Sequence, residues 1–201
     1  MEPNIKRLAA IAYGEASTLN DPDEISGIAF AVSNRARAWG KKTVDELIQA
    51  DPNYTYAING KNRRYERFMK TKNTDEIAQD SGMKLALEAA VKAWTKDGPD
   101  PSNGAYWWDG LDFKTNYANH PKVKDGFRFG DPSHNIFSVE EKLFERILYW
   151  KVRNRRTGEE VNSKERGRFS AVWRSTAAHG KTIFWLHDSD YLTTSGGKAY
   201  R

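Results

Sequence analysis

Two glutamates near the amino terminus have the types and spacing for acid–base chemistry. Glu15 follows Leu8, Ile11 and Ala12 by seven, four and three residues, so a helix continuing through it aligns it with their apolar stripe. It also falls near that helix's carboxyl end, where the dipole opposes ionisation. Burial and dipole both raise a carboxyl pKa, as a general acid working at neutral pH requires. A helix ended at Gly14 would instead leave Glu15 in a solvated loop. Glu24 has two readings as well. Three residues after Asp21, it is an ordinary capping-box acid; at the head of a central helix, it borders a cleft. A pair of carboxylates across a short polar loop is what glycoside cleavage needs, one to protonate the leaving oxygen and one to assist water or steady the cation.

The elements that must position these groups read mostly as helices. Ile5, Leu8, Ile11 and Ala12 lie at helical spacing. Asp21-Pro22-Asp23-Glu24 starts a second helix, with Asp at the cap and Pro at the first position, and its middle is apolar almost all round. Thr43-Val44-Asp45-Glu46 starts a short third helix. The pattern predicts a long helix from Asp75 to Lys96, stopped by Gly98-Pro99, and another from Ser138 to Trp150. Phe169 to Trp173 and Thr182 to Leu186 are β-rich runs around a turn at His179-Gly180, and read as a small hairpin. Between them and the body, Lys151 to Arg168 holds seven Lys or Arg against three Glu and reads as a polar connection. The expected organisation is a body over 1–150 and an appendage over 151–201.

Composition narrows the function classes. Of 201 residues 38% are hydrophobic and 29% charged, as in a globular chain, and no apolar run has the length of a membrane span, so no membrane insertion is expected. Seven Trp, nine Tyr and nine Phe exclude a disordered chain. Without cysteine there is no disulfide, thiolate nucleophile or cysteine metal site. His120, His134, His179 and His187 lack ligand-like spacing and no phosphate-binding glycine loop occurs, so neither metal nor cofactor is expected. The net charge of +5 favours anionic partners.

Four blocks in chain order resemble the spore-cortex-lytic-enzyme family of bacterial cell wall hydrolases. The first is Tyr13-Gly14-Glu15-Ala16, then Glu24 and the apolar helix ending in Asn34-Arg35. The second is Tyr54-Thr55-Tyr56-Ala57 to Gly60, the third Asp100-Pro101-Ser102-Asn103-Gly104-Ala105-Tyr106-Trp107-Trp108, and the fourth Ser133-His134-Asn135-Ile136-Phe137. The resemblance spans about residues 5 to 137. It implies a lysozyme-like helical body with short strands. With the tail hairpin, the expected fold is mainly α (α+β) with a small C-terminal β-hairpin appendage.

The resemblance also implies cleavage of the β-1,4 bond between N-acetylmuramic acid and N-acetylglucosamine. Glu15 aligns with the family's catalytic glutamate and Glu24 with a second acidic position. The loop between them is one residue longer here and lacks the family's usual Gly-Glu-Pro. Two mechanisms are open: a hydrolase using both carboxylates, which the presence of Glu24 favours slightly, or a lytic transglycosylase using Glu15 alone and forming anhydro-muramic ends. Tyr54, Tyr56, Tyr106, Trp107 and Trp108 suit sugar stacking, alternation letting one of the two tryptophans reach substrate. Thr55 and Asn59 are the polar contacts that the resemblance implies.

Peptidoglycan glycan strands are the expected partner of a monomer. The absence of a visible signal peptide suggests an effector or lysin domain delivered to the periplasm or cell wall within a larger secreted protein, with a cognate immunity protein as a further partner. Two rivals remain. A noncatalytic wall-binding module would keep the aromatic cleft. A nucleic-acid-binding protein would use the basic, aromatic runs Lys61 to Phe68 and Lys151 to Trp173, although these match no recognition module and no nucleic acid is expected.

Overall fold

A computed structural model describes residues 1–200, the side chains of Thr55 and Tyr56 excepted. Helix α1 (Pro3–Glu15) starts at Glu2, whose carboxylate accepts the N–H groups of Asn4 and Ile5 at 2.9 and 2.8 Å. Helix α2 (Pro22–Ala38) starts as its sequence indicates, with Asp21 accepting the Glu24 N–H at 2.8 Å. Eleven of its residues are buried, among them Ile25, Ile28, Phe30 and Val32. Helix α3 (Val44–Ala50) is capped by Thr43. Two short helices follow, α4 (Thr55–Ile58) and α5 (Arg63–Met69), the second capped by Asn62.

The long helix expected over 75–96 is two. Helix α6 (Thr74–Ala78) ends, and α7 (Ser81–Thr95) restarts where Asp80 accepts the Met83 N–H at 3.0 Å. Asp80 acts as a cap, interrupting a pattern that hydrophobic spacing alone carries through. Helices α1, α2 and α7 pack on one another, and Leu8, Ile11, Ile28, Ala86 and Ala90 fill the space between them.

The second half of the chain corrects the expected fold. Strand β1 (Trp107–Asp109) is followed by α8 (Asp112–Thr115), α9 (Pro121–Asp125) and strand β2 (Phe127–Arg128). Strands β3 (Arg146–Arg153), β4 (Glu160–Phe169), β5 (Trp173–His179) and β6 (Thr182–His187) follow, and α10 (Ser189–Ser195) closes the chain. Four strands form one mixed sheet in the order β1-β6-β5-β2, and β3 and β4 form a separate antiparallel ribbon. With 46% helix and 19% strand the molecule is a balanced α+β fold, not a mainly α, lysozyme-like helical body with a hairpin appended.

The hairpin has its first strand at Trp173–His179, not over 169–173, and with Thr182–His187 it lies at the centre of the main sheet, not in an appendage. Trp107 pairs with Trp185, Trp108 with Phe184 and Asp109 with Ile183, so β6 supports the strand bearing the tandem tryptophans. Phe184 and Trp185 are fully buried. Nor is 151–168 a connection, since it supplies most of the β3–β4 ribbon. The helix expected over 138–150 does not form. Ser138 takes a positive φ, Lys142 bridges to Phe127, and Ile147 to Val152 pair along β4. That run is β-branched and aromatic, and cross-strand pairing outweighs the capping pattern upstream of it.

Candidate active site

Glu15 is the last residue of α1, and Arg64 crosses that helix end. Its Nε donates to the Tyr13 carbonyl at 2.7 Å and its Nη1 to the Ser17 carbonyl at 3.1 Å. Its guanidinium also stacks 4.0 Å from the Tyr13 ring centroid. Carbonyls at and beyond a helix terminus that lack a helical partner are satisfied in this way. Asn62 reaches Glu15 from the head of α5. Its Oδ1 accepts the Tyr65 N–H at 3.1 Å, leaving Nδ2 to donate to Glu15 Oε1 at 3.0 Å. A Cβ on Gly14 would lie 2.9 Å from both Asn62 Nδ2 and Tyr65 Cβ, so glycine lets α5 come this close.

Burial pushes the Glu15 carboxyl above its ordinary pKa. Hydrogen bonding from Asn62 and Trp108 acts against that rise, and the negative charge of Asp112 adds to it. Glu15 can therefore keep its proton to higher pH than a solvated glutamate.

Two cavities meet at Glu15 and Trp108. One, of about 130 Å³, is lined also by Arg35, Asp51, Asn53, Tyr54, Tyr106 and Trp107. The other, of about 510 Å³, is lined also by Asp109, Gly110 and Asp112. The structure thus brings together Glu15, Tyr54, Tyr106, Trp107 and Trp108 of the residues singled out in the sequence. Alternation along β1 sends Trp107 against Trp173 and His187, and Trp108 against Tyr54 and the helical core. Both rings nonetheless line the smaller cavity. The side chains of Thr55 and Tyr56 lie outside the described residues.

Two expected site residues are not there. Asn59 is exposed, lines neither cavity, and accepts the Lys61 N–H at 3.1 Å in a local turn. Glu24 is fully buried and borders no cleft. Its carboxylate accepts from Ser17 Oγ at 2.5 Å, Thr182 Oγ1 at 2.8 Å and the Lys181 N–H at 3.1 Å. It ties the head of α2 to the β5–β6 turn. Gly180 in that turn has φ 56°, and a Cβ there would lie 2.5 Å from Glu24 Oε2. Burial and these three hydrogen bonds account for the Glu24 carboxylate without a place in either cavity.

The sequence reading missed several groups that shape the site. Asn62 and Arg64 belong to the basic, aromatic run that could suggest nucleic-acid binding; in the fold, Tyr65 and Phe68 of that run are core and Arg64 is occupied by α1. An Asn three residues before a buried Tyr was a readable capping signal. Asp112 was not foreseen, since a carboxylate on a short helical turn carries no local mark.

Asp109, Asp112 and His120 place potential ligand atoms within 4.8 Å of one another, the donor set nearest to one for a metal among the described residues. Two of the three, Asp109 and His120, already have polar partners. His120 Nδ1 accepts the Lys122 N–H at 3.3 Å, and its Nε2 lies 3.3 Å from Asp109 Oδ1. Lys122 Nζ sits 2.8 Å from Asp109 Oδ2. Burial alone would raise the Asp109 carboxyl, but Lys122 and His120 outweigh it and hold the pKa below the ordinary value. The cluster fits an ion-paired network under the larger cavity better than a metal centre.

Comparison with known proteins finds no family model, curated protein or solved structure that matches this chain.

Proposed function

We propose that this chain is a glycosidase acting on peptidoglycan, cleaving the β-1,4 bond between N-acetylmuramic acid and N-acetylglucosamine with Glu15 as proton donor. The observation that carries the reading is the environment of Glu15: a largely buried carboxyl with a raised pKa, oriented by Asn62, where two cavities meet beside Trp108. Aromatic faces suit pyranose C–H surfaces, and a carboxyl kept protonated near neutrality can deliver a proton to a leaving glycosidic oxygen. The four sequence blocks that resemble cell wall hydrolases support the same substrate.

Glu24 has no part in this mechanism, because its oxygens are engaged in three buried hydrogen bonds. Two other carboxylates, Asp109 and Asp112, share the larger cavity with Glu15, and Asp109 is held by Lys122 and His120, which leaves Asp112. In a hydrolase, Asp112 would activate water or stabilise the oxocarbenium-like transition state. The loss of Glu24 as a second carboxylate gives new weight to the transglycosylase alternative, in which Glu15 acts first as acid and then as base. Mass spectrometry of peptidoglycan digests separates the two. Reducing muramic ends that disappear in Asp112→Asn support hydrolysis through Asp112; anhydro ends that persist in that variant support transglycosylation.

A further inference from the structure

The smaller cavity is lined by two buried donor groups without a hydrogen-bond partner among the described residues. Arg35, its side chain 5% exposed, makes ion-pair contact with Asp51 through Nε, while Nη1 has no hydrogen-bond partner among the described residues. Tyr54 is 3% exposed and its hydroxyl is equally unpartnered. Both line the cavity that Glu15, Trp107 and Trp108 share. Leaving two such donors dry costs about 1–3 kcal/mol each, so a site that retains them is poised for an acceptor.

The surroundings define that acceptor. The Arg35 guanidinium lies 4.6 Å from the Trp107 ring centroid and 5.1 Å from that of Trp39, so rings flank it and Asp51 neutralises its charge. A neutral acceptor fits this pair better than a carboxylate, which would meet Asp51. Burial raises the Tyr54 pKa, so the phenol keeps its proton and can donate. The volume of about 130 Å³ is close to that of a cavity of roughly 150 Å³ able to hold benzene. A lone hydroxyl would leave most of it empty, and a whole sugar ring would not enter. A group with a carbonyl oxygen and a methyl uses both the donors and the aromatic wall.

We infer that this cavity takes the acetamido group of an N-acetylhexosamine, its carbonyl oxygen accepting from Arg35 Nη1 and Tyr54 Oη and its methyl packing on Trp107. The inference rests on the glycosidase reading and adds to it a specificity determinant, Arg35, that selects N-acetylated strands. It makes Tyr54 a hydrogen-bond donor rather than a stacking platform.

The test compares two β-1,4-linked hexasaccharides, chitohexaose and cellohexaose, which differ only in carrying acetamido or hydroxyl at each C2. Binding is measured by calorimetry on the full chain carrying Glu15→Gln, to prevent cleavage. The expected result is at least about tenfold tighter binding of chitohexaose, a difference of about 1.4 kcal/mol. Adding Tyr54→Phe should cut that ratio to about threefold or less while leaving cellohexaose affinity unchanged, as loss of one directed hydrogen bond requires. Arg35→Lys, which keeps the charge beside Asp51 but loses Nη1, should do the same. Equal affinity for the two sugars, or equal weakening of both by Tyr54→Phe, overturns the acetamido assignment alone. Failure of both sugars to bind overturns it together with the glycosidase reading.

Discussion

Asn62 Nδ2 lies 3.0 Å from Glu15 Oε1 while the same amide's Oδ1 accepts the Tyr65 N–H at 3.1 Å. One side chain therefore caps a helix and orients the candidate acid. Because this hydrogen bond favours the charged carboxylate, its loss raises the Glu15 pKa further. A general acid works while protonated, so Asn62→Ala should shift the alkaline limb of the kcat/KM profile to higher pH. The lost cap should also destabilise the protein by about 1 kcal/mol. A pH–rate profile together with thermal unfolding checks both parts.

Asp112 acts on Glu15 in the opposite sense. Its negative charge disfavours ionisation of Glu15, so Asp112→Asn lowers the Glu15 pKa and moves the alkaline limb of the cleavage that the variant retains to lower pH. Asp112 is largely exposed, so raising the ionic strength should narrow the gap between wild type and variant. A limb that stays in place would separate Asp112 from the function of the site.

Glu24→Gln should act on stability and leave chemistry intact. A Gln amide turns one NH2 group toward donors that the carboxylate now accepts. The mismatch should cost about 1–3 kcal/mol, roughly 2–4 °C of Tm per kcal/mol in a chain of this size. The folded variant should keep its activity within about twofold, read after correcting for unfolded protein. A loss of kcat without a loss of Tm would return Glu24 to the mechanism.

Gly180→Ala probes the same junction from the other side. Its φ of 56° disfavours an L side chain, and the new Cβ would press on the Glu24 carboxylate. The substitution should destabilise by about 1–3 kcal/mol. If the strain is relieved through Glu24, the double variant with Glu24→Gln should lose less stability than the two single losses together.

The first half of the chain was largely legible because its signals are local. Asp21-Pro22 and Thr43 mark helix starts by side-chain chemistry, and the stripe Leu8, Ile11, Ala12 marks a buried face that reaches Glu15. The second half was not, because its strands are defined by partners far away in sequence. Trp107 and Trp108 could be read as an extended pair, but nothing local tells that Phe184 and Trp185 lie beside them. The same holds for Glu24, whose fate is decided by Thr182 and Lys181 more than 150 residues later. Asn62, Arg35 and Asp112 join the site through tertiary packing alone, and spacing from Glu15 could not identify them.

The most direct measurement is release of soluble fragments from purified peptidoglycan by the intact chain and by Glu15→Gln, with both proteins shown to be folded. The intact chain should release muropeptides, and removing the proton donor should cost at least about a hundredfold. Release that is unchanged in Glu15→Gln, or no release by the intact chain, contradicts it.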